Sequence, residues 1–181
     1  MIQFLKRLAR FGRCESGAPT VEFALVFPAF ILILASTVEL GAINLRQTAL
    51  ESRLDQAMRT VRINTGVQYT HNDIKAMICE NAPMLGNCDA DLRLEMIPND
   101  PRSYTAMPPY VDCVDSRYDT GATQNIVRNF HLGNANELVV VRACLLYDPI
   151  LPGSMMALSR ARDENGKSAM VAVSAFTQEP R

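Results

Sequence analysis

Glu22 is the residue of this chain whose position most demands a chemical reason. It lies at the start of an apolar run, about Val21 to Ile43, that contains only one other charged residue, Glu39. An unpaired carboxylate inside a membrane is costly, so such a group is expected to be paired or protonated. Five residues before it stands Gly17, followed by Ala18-Pro19-Thr20-Val21-Glu22-Phe23. Scission of the Gly17–Ala18 bond would free an α-ammonium at Ala18. That cation has the right charge to pair with Glu22 of a neighbouring subunit. The chemistry in view is assembly by ion pairing after one proteolytic cut, with Gly17 and Ala18 flanking the cut, Glu22 as the pairing group and Phe23 beside it.

A membrane-spanning helix is the element that would position these groups. Lys6, Arg7, Arg10 and Arg13 precede the apolar run and only Glu15 opposes them, whereas charge after Arg46 is mixed in sign. This asymmetry predicts a cytoplasmic N-terminus and an exported remainder. About 20 residues at 1.5 Å per residue cross a hydrocarbon core of about 30 Å. A cleavable secretory signal has an apolar region of about 7–15 residues and a small-residue site after it. This run is longer and no convincing Ala-x-Ala site follows, so a retained anchor is expected. Pro28 lies within the run, where a kink or a locally melted turn is anticipated.

Beyond the run the apolar positions Ile43, Leu50, Leu54, Ala57, Met58 and Val61 keep helical spacing, opposite Arg46, Glu51, Asp55, Arg59 and Arg62. Gly66 is a plausible stop. One helix from about Pro19 to Asn64 is therefore expected, transmembrane in its first half and amphipathic in its second. Glu39, near the end of the apolar run, reads as solvated at the membrane interface.

The rest of the chain reads as a small α+β unit. Asn72 or Asp73 is the expected cap of a short helix through Ile74, Met77 and Ile78. Residues 91–97 alternate as a half-buried strand, Glu137 to Tyr147 is nearly continuous apolar as in a central strand, and Ser168 to Phe176 is a third strand after an Asn165-Gly166 turn. Pro98 to Pro109 holds four prolines and reads as loop. The overall expectation is α+β, with a small antiparallel sheet laid on the long helix: residues 1–17 a basic leader, 18–66 the helix with its span at about 21–43, and 67–181 a head. Cys14 falls in the leader. Cys79, Cys88, Cys113 and Cys144 remain, an even number in an exported region, which predicts two disulfides. Three pairings are possible; Cys79–Cys88 with Cys113–Cys144 is favoured because its first loop is short.

Over Gly17 to Leu40 the chain resembles type IV prepilins of the Flp/Tad branch, and within them the TadE-like minor pseudopilins. The matching residues are Gly17, Glu22-Phe23-Ala24, Pro28 and Glu39. A weaker echo lies in the apolar strand ending at Tyr147, the Asp148-Pro149 after it, and the last strand before Gln178-Glu179-Pro180. The resemblance implies cutting after Gly17 by a prepilin peptidase, then recruitment by an inner-membrane assembly platform and secretion ATPase. Further implied partners are other pilin and pseudopilin subunits and membrane lipid. It also implies a single-pass inner-membrane protein with its head in the periplasm, open to incorporation in an extracellular pilus.

Other function classes find little support. The net charge of −1 offers no field for nucleic acid. No nucleophile-elbow, zinc-protease, P-loop or dinucleotide motif occurs, so no enzyme activity and no cofactor is expected. No two head cysteines have zinc-ligand spacing, and Asp163-Glu164-Asn165-Gly166 lacks the alternation of a calcium loop, so no metal is expected. His71 and His131 read as surface or loop residues. Tyr104, Tyr110 and Tyr118 read as parts of a packed loop, and Met155-Met156 as core or rim filling. The main alternative to a processed pseudopilin is an uncleaved, membrane-anchored periplasmic assembly or binding factor. An anchored exported enzyme is the weakest.

Overall fold

The computed structural model describes residues 17–64, 66–100, 107, 111, 113, 130–134, 136–162 and 165–178. The first element, α1, is a single helix Ala18–Ile63. It stays α-helical through Pro28, so of the kink or locally melted turn expected there the melted turn is not present. In lipid every backbone group must find its bond within the chain, which favours helix even where the residues are β-branched. The helix is long and apolar enough to cross a membrane. At its far end Asn64 donates its N–H to the Thr60 carbonyl, and Gly66 follows with φ +105°.

The sheet is three-stranded and antiparallel in the order β1 (Leu92–Asn99), β2 (Leu138–Tyr147), β3 (Ser168–Thr177). Register pairs Leu94 with Ala143 and Ala143 with Ala172, which places alternate residues of all three strands on one face. That face, including Leu92, Leu94, Met96, Val139, Val141 and Leu145, packs against Ile43, Leu50, Leu54, Ala57, Met58 and Val61 of α1. The whole helical stripe anticipated from spacing is thus buried. Polar bonds reinforce the packing. Gln47 donates to the Val171 carbonyl at 2.9 Å, and the Ser174 hydroxyl to Asp55 at 2.9 Å.

Three short helices complete the layer: α2 (His71–Cys79), α3 (Cys88–Asp91) and α4 (Met155–Ser159). The cap of α2 is Thr70 rather than Asn72 or Asp73. Thr70 Oγ1 accepts from the Asp73 N–H while the Asp73 carboxylate accepts from the Thr70 N–H, so Asp73 plays the third-position part of a capping box. A second correction concerns Pro98, which belongs to β1 rather than to the loop after it. Because β1 is an edge of the three-stranded sheet, a residue without an N–H is accommodated there. Residues 101–106 and 108–110, Tyr118, Asp163, Glu164 and the final Glu179-Pro180-Arg181 lie outside the described residues.

Candidate functional site

The N-terminal end of α1 presents the candidate processing and assembly residues in an open arrangement. Gly17 is the N-cap, with φ −89° and ψ −10°, and a Cβ built on it would meet no atom within 4 Å. Among the described residues, neither backbone conformation nor packing therefore requires glycine at this position. Ala18 begins the helix and Pro19 occupies its first turn, where a missing N–H costs nothing. Glu22 is exposed, and among the described residues no group bonds to it. Phe23 is also exposed and stacks on Phe27 one turn later, with ring centroids 4.8 Å apart. Residues 1–16, including the basic leader and Cys14, lie outside the described residues.

At the other end of the apolar run the structure departs from the sequence expectation. Glu39 is not solvated; its relative exposure is 0%. Its two carboxylate oxygens accept the backbone N–H groups of Ile150 at 3.2 Å and Leu151 at 2.7 Å. Arg46, seven residues on and so on the same helical face, donates to the Asp148 carbonyl at 2.9 Å. Its guanidinium also lies 5.3 Å from the centroid of the Tyr147 ring. An anion thus holds two amides and a cation holds one carbonyl of the same short segment, residues 147–151. Charge-assisted bonds of this kind are about twice as strong as neutral ones. Sequence reasoning missed this clamp because its partners are main-chain groups 102–112 positions away, which leave no residue-type signal.

The four remaining cysteines form two disulfides. Cys79 at the end of α2 joins Cys88 at the start of α3, with Cα atoms 5.5 Å apart. Cys113 joins Cys144 of β2, with Cα atoms 5.4 Å apart. Cys144 lies on the sheet face turned away from α1, as do Arg142 and Glu95, which form an ion pair at 2.7 Å. Lys167 holds Asp91 through both carboxylate oxygens at 2.6 and 2.7 Å, linking the start of β3 to the end of α3. His71 meets Phe130 edge-on at 5.6 Å. Met156 packs against the core, whereas Met155 is exposed. Among the described residues no group of three or more His, Cys, Asp or Glu side chains is placed to hold a metal ion.

Residues 17–59 match the family model described as TadE-like protein. The matched segment opens at Gly17, contains Glu22, Phe23, Pro28, Glu39 and Arg46, and stops four residues before α1 ends. No curated protein and no solved structure matches the chain.

Proposed function

We propose that this chain is a minor pseudopilin of a Tad/Flp-type pilus, anchored by the first half of α1 and processed between Gly17 and Ala18. The TadE-like match over residues 17–59 supports a part in that pilus system. The observation that carries the finer reading is Glu22: an exposed carboxylate in the apolar half of a membrane-length helix, five residues after a glycine that the described residues do not require. A carboxylate so placed calls for a partner from another molecule. The ammonium released at Ala18 of a neighbouring subunit supplies one.

In this reading residues 1–17 are the leader and hold the N-terminus in the cytoplasm until the cut. Residues 18–66 form the assembly helix, and 67–181 the periplasmic head with its two disulfides. A prepilin peptidase is the processing partner, and the assembly platform with other pilin and pseudopilin subunits receives the mature chain. The role is structural rather than enzymatic and uses no cofactor.

The deciding experiment is mass spectrometry of the mature N-terminus after co-expression with a prepilin peptidase. The expected chain begins at Ala18. A mature chain beginning at Met1 would favour the uncleaved anchor instead. Gly17→Phe should block the cut and leave the fold intact, because a side chain there meets open space. Glu22→Gln should be cut and inserted but poorly recruited by partner pilins. The Ala18 ammonium would then lack its counter-charge, a loss of about 3–5 kcal/mol on the scale of a broken buried pair. Wild-type piliation by Glu22→Gln would remove the carboxylate from the mechanism.

A further inference from the structure

The segment clamped by Glu39 has an outer surface that the clamp does not explain. Residues 149–159, Pro-Ile-Leu-Pro-Gly-Ser-Met-Met-Ala-Leu-Ser, contain no charged side chain and are bounded by Asp148 and Arg160. Three of the large side chains point away from the protein: Ile150 is 53% exposed, Met155 63% and Leu158 66%. The segment is nevertheless well built. Ser154 caps α4 by accepting the Ala157 N–H at 3.1 Å, Ala157 is buried, and Arg162 donates to the Pro152 carbonyl at 2.8 Å. Its apolar surface is therefore held outward by structure.

The level of this surface along α1 identifies its occupant. The outward apolar side chains of the helix are continuous from Val21 to Leu40, about 30 Å at 1.5 Å per residue, which is the thickness of a hydrocarbon core; beyond them only Leu45 and Ile63 stand exposed among the large apolar residues of the helix. Glu39 lies at the end of that stretch and is bonded directly to Ile150 and Leu151. The apolar loop is thus tied at the height where the bilayer surface meets the helix, beside a face that already lies in lipid. Arg160 follows at once, exposed, where a cation meets headgroup phosphate.

We infer that residues 150–158 form a second membrane contact, with Ile150, Met155 and Leu158 embedded at the acyl–headgroup boundary of the leaflet where α1 emerges. The occupant is phospholipid, recognised by apolar burial rather than by headgroup type. This inference rests on the reading of the first half of α1 as a membrane span. The contact ties the sheet layer, already fixed on α1, to the bilayer surface as well.

The chain contains no tryptophan, so a single introduced Trp reports its own surroundings. The test uses the full chain in phosphatidylcholine vesicles whose lipids carry bromine either high on the acyl chain or near its end. Leu158→Trp and, in a separate variant, Met155→Trp are expected to emit blue-shifted fluorescence that is quenched by bromine placed high on the chain. Phe30→Trp, at the middle of the span, should be quenched best by bromine near the chain end. Ile63→Trp, at the far end of α1, should be unaffected by either. Quenching of Phe30→Trp without quenching of Leu158→Trp or Met155→Trp overturns the second contact while leaving the span in place, and assigns the face to another protein subunit. Absence of quenching in all variants overturns both.

Discussion

From Val21 to Leu40 the long helix turns apolar side chains outward, whereas from Glu39 to Val61 the same helix buries one stripe against a sheet and, Leu40 and Leu45 apart, shows mostly polar residues on the other side. Both halves contain many apolar residues, but they are apolar for different reasons. The first half needs only to be transferred out of water, and many residue choices satisfy lipid. The second half must fit a fixed surface, because protein interiors are close-packed. Identical substitutions in the two halves should therefore have different consequences.

The largest expected effect comes from testing that difference directly. Leu54→Ala should destabilise the sheet layer by about 2–5 kcal/mol through lost burial and a residual cavity. Leu32→Ala, in the outward half, should leave its melting temperature unchanged in detergent. Equal losses would mean that the two halves share one packing environment. The disulfides sharpen the comparison, since both lie outside the helix. Replacing Cys113 and Cys144 together by Ser should cost about 3.5 kcal/mol, and replacing Cys79 and Cys88 about 2.5 kcal/mol, because the first pair closes a 31-residue separation and the second 9. Denaturant unfolding of the two double mutants should give that order, with membrane insertion unaltered.

Glu39 stands at the border between the halves. Glu39→Ala should cost about 1–3 kcal/mol by leaving two amides without an acceptor. Hydrogen exchange should localise the loss: the Ile150 and Leu151 amides should exchange faster while β1 and β2 stay protected. The smallest effect belongs to Asp73, far from the membrane half. The Thr70 hydroxyl, followed by the Thr70 amide, holds its carboxyl below the ordinary value of 3.8. A folded-state pKa below the unfolded one gives stability that is present above the unfolded pKa and fades as pH falls through the folded pKa. Asp73→Asn should therefore lose a little stability at neutral pH and show a shallower acid decline. An unchanged acid limb in melting experiments would exclude the capping box from that pH dependence.

The sequence was most informative where chemistry or periodicity is local. The stripe from Ile43 to Val61 and the apolar strand at 138–147 announce themselves by repeat and composition. The apolar half of α1, long enough to cross a membrane, is legible for the same reason. Asn72 and Asp73 both have cap-type side chains, and nothing local in the sequence marks that the helix starts before them, at Thr70. Pro98 reads as loop because a proline gives no sign of whether its neighbour strand leaves it at an edge. Glu39 reads as solvated from sequence because a carboxylate after the 16 uncharged residues 23–38 looks like the end of a membrane span. Its true partners are peptide N–H groups, which every residue but proline carries and no sequence pattern marks.

The clamp at Glu39 and Arg46 has a consequence for orientation. The two side chains grip one segment at points about 10 Å apart along the helix axis. The packed stripe from Ile43 to Val61 fixes the height and azimuth of the sheet around α1, and the two-point clamp holds residues 147–151 to the same setting. Turning the helix by one residue turns the sheet with it by about 100°. Any assembly that seizes the apolar end of α1 therefore sets the direction in which the Arg142–Glu95 face looks.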